Sequence, residues 1–90
     1  MASSSRILPL AEKVALTAGS GNATTVSNAT VVRVLASSGP VVVVRTDSSN
    51  SIIGSFTMLA NTSELVEKYP TDKLYVTGGN VEVAKVGFTG

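Results

Sequence analysis

Cysteine and histidine are both absent from this 90-residue chain. Without cysteine there is no disulfide to staple a small fold and no thiolate to hold a metal. Without histidine the commonest general base and the commonest metal ligand are missing. The chain's 12 serines therefore cannot be assembled into a Ser-His-Asp arrangement. Tryptophan is missing as well, and the aromatics reduce to Phe56, Tyr69, Tyr75 and Phe88. Charged residues make up 14% with a net of +1, whereas phosphate-backbone binding needs many clustered Lys and Arg. No apolar run approaches the roughly 18 residues of a membrane-spanning helix. The opening Met1-Ala2-Ser3-Ser4-Ser5-Arg6 has one positive charge, and Pro9, Glu12 and Lys13 break the apolar stretch after it, which is not the pattern of a secretory signal. Asn22-Ala23-Thr24, Asn28-Ala29-Thr30 and Asn61-Thr62-Ser63 match the N-glycosylation pattern. Without a signal they read as accidents of a chain rich in Ser, Thr and Asn.

What is present points to β structure. Val, Ile and Thr together make up 27 of the 90 residues, and these types suit a pleated, half-buried surface. An apolar fraction of 43% argues against disorder of the body of the chain. The length allows one domain. Such a domain hides only roughly 60% of its extended surface, so its core is thin.

Residues 1–12 read as an N-terminal arm, with Ser3-Ser4-Ser5 loose and Ile7, Leu8 and Leu10 available to tie it down. Residues 13–90 read as a single small antiparallel β-sandwich of about seven short strands. Strands are expected over 13–18, 24–27, 30–36, 41–46, 52–59, 73–77 and 81–88. Residues 62–69 fit either a strand or one helical turn, the alternation slightly favouring a strand. Ser37-Ser38-Gly39-Pro40 is expected to close a hairpin between 30–36 and 41–46, and Gly78-Gly79-Asn80 a second hairpin. Gly54 marks a bulge or a close approach. In 81–88, Val81 and Val83 lie on one parity and Val86 and Phe88 on the other, so either a bulge near Ala84-Lys85 or burial on both faces is expected. Phe88 is expected as a packing anchor.

The first expected hairpin departs from the usual apolar-in, polar-out pattern. Val32, Val34 and Ala36 share one face, and Val31, Arg33 and Leu35 share the other. In the next strand Val42 and Val44 face one way, and Val41, Val43 and Arg45 the other. Ninety residues can hardly bury two cores, so one face is expected to be covered by another subunit. The expected contact residues are Ile7, Leu8, Leu10, Val31, Arg33, Leu35, Val41, Val43 and Arg45. The competing reading is a hairpin covered on both faces within its own chain. Left bare, Val41-Val42-Val43-Val44 would be aggregation-prone, and Pro40 and Arg45 flank it as gatekeepers.

No catalytic or metal-binding motif emerges, so the chain is expected to be no enzyme and to use no cofactor. The carboxylates Glu12, Asp47, Glu64, Glu67, Asp72 and Glu82 suggest no paired acid and base. Asp47-Ser48-Ser49-Asn50-Ser51 offers oxygen ligands but one carboxylate, too few for a calcium loop. Gly19-Ser20-Gly21 and Gly78-Gly79 lack the strand–loop–helix context of a phosphate cradle and read as turns. Arg33 and Arg45 are expected near one another across the hairpin, with no aromatic between them to stack a base. Tyr69 and Tyr75 are the only candidates for a sugar-stacking surface, and packing at the core edge is the simpler reading.

One stretch resembles a known class. Ile53-Gly54-Ser55-Phe56-Thr57-Met58-Leu59 runs into Ala60-Asn61 and a charged segment ending at Lys68, followed by Pro70-Thr71-Asp72 and Val83-Ala84-Lys85-Val86-Gly87-Phe88. This resembles small virion structural proteins of tailed bacteriophages, cyanophages in particular, while the N-terminal half matches only in general character. The resemblance implies a β-rich subunit bound in many copies to a capsid, neck or tail, and transfers no functional residues. The expected partners are major capsid or other virion proteins and further copies of the chain, a trimer among the forms considered, with no nucleic acid and no membrane. The expected location is the virion, at the capsid surface, after synthesis in the host cytoplasm. A capsid decoration (cement) protein is the first expectation. A neck, tail or baseplate component and a carbohydrate- or receptor-binding module are the alternatives.

Overall fold

A computed structural model describes residues 6–89. It contains eight strands: β1 (Arg6–Pro9), β2 (Val14–Leu16), β3 (Val31–Ala36), β4 (Val41–Thr46), β5 (Ile52–Met58), β6 (Thr62–Glu67), β7 (Lys73–Thr77) and β8 (Val81–Thr89). One 3-10 turn spans Ser20–Asn22. The chain is all-β, as expected, and forms two antiparallel sheets that face each other. The first sheet has the order β1-β8-β3-β6, with β2 also on β8; the second has the order β5-β4-β7.

The core lies between the sheets. Leu16, Val32, Val34, Ala36, Val81 and Val83 of the first sheet pack with Val41, Val43, Met58, Leu74 and Val76 of the second. Val26 and Ala29, from the turn before β3, close one end. Eight of these thirteen side chains are valine and two are alanine, so the interior is thin. At about 25 cal/mol per Å² of apolar surface removed from water, many small contributions replace a few large ones.

The main correction concerns connectivity. β3 and β4 are not paired with each other. β3 bonds β6 and β8, while β4 bonds β5 and β7. The Ser37–Pro40 stretch steps from one sheet to the other. Gly39 permits this step by lying against the β5–β6 turn, where an added Cβ would come 2.7 Å from the Ala60 amide nitrogen. The Asn61 amide bonds the Ala36 carbonyl at 2.7 Å and fixes that contact. The Gly78-Gly79-Asn80 turn likewise connects the two sheets instead of closing a hairpin, since β7 and β8 lie in different sheets. Of the consecutive strands, β4 and β5 do pair, and Asp47 orders their loop by accepting the Ser49 and Ser51 amides at 2.8 and 2.9 Å.

This split explains the double-faced apolar pattern. Val41 and Val43, expected on an outer face, are 0% and 2% exposed and belong to the core. Their cover is their own chain, because β3 and β4 sit in opposing sheets and bury each other. On the far face of β4, Val44 is buried in register between Ser55 and Tyr75.

Smaller differences follow the same logic. Residues 24–27 form no strand: Thr24 makes a single bridge to Leu74, and Val26, Ser27 and Asn28 then turn left-handed at φ 53, 57 and 57. Within 62–69 the strand reading holds, with Thr62–Glu67 forming β6 and Lys68 and Tyr69 following it. β8 has no bulge against β3; its irregularity is in its other neighbour, where two extra residues separate β1 from β2 along the same edge. The arm is thus partly a strand, and Arg6–Pro9 pairs with Val86–Thr89. Residues 1–5 and the side chain of Phe88 lie outside the described residues. The bulge expected near Gly54 is present where β4 and β5 slip register between Arg45 and Thr46.

Candidate interaction surfaces

Three features of the described residues stand out from a plain solvated surface. The first is a polar cluster at one end of the sandwich. Lys68, just after β6, and Asp72, just before β7, are each 4% exposed. A buried charge is costly unless it is paired and hydrogen-bonded. The Lys68 Nζ donates to the carbonyls of Ala29, Tyr69 and Pro70 at 2.8, 3.3 and 3.5 Å. Asp72 accepts the Tyr69 amide at 3.2 Å, and its Oδ2 lies 3.3 Å from the Arg45 Nε. That contact is a charge pair without hydrogen-bond alignment. Burial pushes the Lys68 ammonium below the ordinary lysine value, and the nearby Asp72 carboxylate partly opposes the shift. The cluster ties the 25–29 turn to the β6–β7 loop, so its chemistry is that of a structural pin. Arg45 was expected on an outer face beside Arg33. It turns instead into this end of the sandwich, and Arg33 lies on the other sheet.

Tyr69 departs from the expected packing at the core edge. It is 71% exposed, with the Arg45 guanidinium carbon 5.9 Å from its ring centre. An open hollow of about 250 Å³ lies here, lined by Arg45, Glu67, Lys68 and Tyr69. Tyr75 is half-buried, in line with expectation.

The second feature is the N-terminal ribbon and the outer face beside it. β3 follows β8 only as far as Lys85, and beyond that point Val86–Thr89 pairs with β1. Ile7, Leu8 and Leu10 are 37, 47 and 52% exposed there. Of the residues expected to meet a partner, the structure brings Ile7 and Arg33 into one shallow hollow, together with Leu65. Val31 and Leu35 are half-buried on the same outer side of β3 as Arg33.

The third feature is β5, which sequence reasoning missed as a contact element. Ile52, Ile53 and Phe56 are 64, 48 and 38% exposed, and Leu59 just after the strand is 67% exposed. Ile53 and Phe56 line a groove of about 270 Å³ with Val43, Val66 and Leu74, on the open side of the sandwich between β5 and β6. The signal was available in the sequence, since Ile52–Met58 contains no charge and no proline. Its significance depends on the strand being at an edge, which alternation does not reveal.

No helix among the described residues is long and apolar enough to cross a membrane. The chain matches no protein-family model, no curated protein and no solved structure.

Proposed function

We propose that this chain is a non-enzymatic structural protein of a tailed-bacteriophage virion, a capsid decoration (cement) protein that binds assembled shell proteins and stabilises the shell by apolar contacts between subunits. The observation that carries this reading is the apolar side chains left exposed by Ile7, Leu8 and Leu10 along the ribbon and by Leu59 after β5. A small monomer seldom leaves several large apolar side chains exposed side by side. A subunit repeated over a lattice gains from leaving them free, because repetition makes modest contacts per copy sufficient. The resemblance of 52–88 to small phage virion proteins supplies the setting.

Quantitative peptide mass spectrometry of purified particles tests the proposal. Hundreds of copies per particle fit the shell, whereas about six or twelve would move the protein to the neck or tail, where rings of low symmetry are built. Absence from purified particles would end the virion reading. One observation favours a second reading, a carbohydrate- or receptor-binding module: Tyr69 is 71% exposed beside the hollow at Arg45 and Glu67. A glycan seated there would change tyrosine fluorescence, and that change would be lost in Tyr69→Ala.

A further inference from the structure

The sandwich has free strand edges at β6, β7, β5 and along β1 and β2. Natural sheets protect such edges with charge, proline or a covering segment. β6 carries Glu64 and Glu67. β7 is covered by residues 19–24: the Gly19 amide bonds the Val76 carbonyl at 2.8 Å, and Thr24 and Leu74 exchange bonds of 3.0 and 2.8 Å. The β1–β2 edge is interrupted by Pro9 and carries Lys13, which pairs with Glu82 at 3.1 Å. β5 has none of these devices. Six of its seven residues are exposed, and its one irregularity is the bulge at Ile53, beside Gly54, which leaves Gly54–Met58 in regular pairing with β4.

We propose that β5 is the seam of a homodimer, in which the β5 strands of two copies pair antiparallel about a two-fold axis through Ser55. The two three-stranded sheets then join into one of six strands. An antiparallel strand pairing with its own copy about a two-fold axis closes on itself and uses up the β5 edge of both copies. Because Ile52–Met58 is uncharged, this pairing sets no like charges opposite one another.

The register comes from Gly54 and Phe56. Both lie on the inner face, opposite Arg45 and Val43 of β4 respectively. A Cβ placed on Gly54 would meet nothing within 4 Å, so the space above it is vacant. An axis through Ser55 sets Phe56 of each copy across from Gly54 of the other. Each ring then covers the partner's bare glycine, a cross-strand pairing known to rescue edge glycines. The same docking closes the groove lined by Val43, Ile53, Phe56, Val66 and Leu74, so both sandwiches gain cover on their open side. This pairing does not rest on the virion reading, and a dimer that never meets a capsid would leave it standing.

The absence of native cysteine makes the test direct. On the axis, Ser55 faces its own copy with Cα atoms about 4.5–5.5 Å apart, which suits a disulfide. Light scattering on the purified chain, from about 10 µM to about 1 mM, is expected to give twice the monomer mass. Thr57→Lys is expected to return the monomer mass with an unchanged circular dichroism spectrum. Under mild oxidation Ser55→Cys is expected to become a covalent dimer at least roughly tenfold faster than Ser49→Cys, through the higher effective concentration at the seam. A native chain that stays monomeric across the range, or equal crosslinking of the two cysteine variants, overturns the proposal. So does a folded Thr57→Lys variant that keeps the dimer mass.

Discussion

The ammonium of Lys68 reaches back 39 positions along the chain to bond the Ala29 carbonyl at 2.8 Å. Ala29 is fully buried and lies two residues before the start of β3, so this one side chain anchors the entry to a core strand to the loop that feeds β7. Replacing Lys68 with Met keeps the aliphatic stem and leaves a buried carbonyl without its donor. The expected loss is about 2 kcal/mol by urea denaturation, in the range of hydrogen bonds to charged groups. A change under about 0.5 kcal/mol would mean that water replaces the ammonium at no cost.

The same lysine sets a pH signature. Its folded pKa is lowered, first by burial, with Asp72 partly opposing. Between that lowered value and the ordinary lysine value the unfolded chain binds more protons than the folded one, so this group makes stability rise with pH across that window. Below the window both states are protonated and the contribution is constant. The stability gap between the native chain and Lys68→Met is therefore expected to widen as pH climbs towards the ordinary lysine value. A narrowing gap in paired urea titrations would contradict the assigned cause.

Val43 and Leu65 form a matched pair of tests for which surfaces are inside. Val43 is 2% exposed and Leu65 is 44% exposed. Val43→Asp places an unpaired charge in the core and is expected to cost more than about 4 kcal/mol, enough to unfold a small domain. Leu65→Asp is expected to stay within about 1 kcal/mol of the native chain by thermal melting. A well-folded Val43→Asp protein would show that β4 does not face β3 across the core.

Gly39 and Gly21 separate steric need from mere flexibility. A Cβ at Gly39 would collide with the Ala60 backbone, whereas at Gly21 it would meet nothing within 4 Å. Gly39→Ala is expected to destabilise by about 2 kcal/mol through backbone displacement. Gly21→Ala is expected to be neutral or to stabilise by up to about 1 kcal/mol, since the unfolded chain loses freedom. Equal melting temperatures for the two variants would remove the close approach as the reason for this glycine.

The left-handed turn at Val26, Ser27 and Asn28 holds ordinary residues at positive φ. Val26 is retained by burial, and Lys85 donates to the Ser27 carbonyl at 3.2 Å. A non-glycine residue there costs roughly 1–2 kcal/mol. Ser27→Gly is therefore expected to raise stability by up to about 1 kcal/mol, and Asn28→Gly by less, because asparagine tolerates this region. A loss of melting temperature in Ser27→Gly would count against the strain.

Much of the secondary structure was legible because it is local. Short runs rich in β-branched residues marked β3, β4 and β7, and turn residues marked most of their ends. The Thr24–Asn28 stretch misled because Thr25 and Val26 favour strands, while the Thr24 and Thr25 hydroxyls accept the amides of Val26 and Asn28 and hold the turn. The polar cluster was not legible. Arg45, Lys68 and Asp72 look like ordinary solvated charges in sequence, and only the fold brings them to one buried corner.

By itself the sequence determined an all-β chain without thiol or imidazole chemistry, because composition and short-range alternation specify pleated strands and the turns between them. Only the tertiary structure decided which strands are neighbours. Alternation states which side of a strand is apolar, not which strand covers it. Ser37-Ser38-Gly39-Pro40 would serve equally to fold β4 back beside β3 or to carry it across to the facing sheet. The fit of Gly39 against Leu59 and Ala60, together with the mutual burial of Val32 and Val34 with Val41 and Val43, selects the crossing. That selection leaves β5 at an open edge.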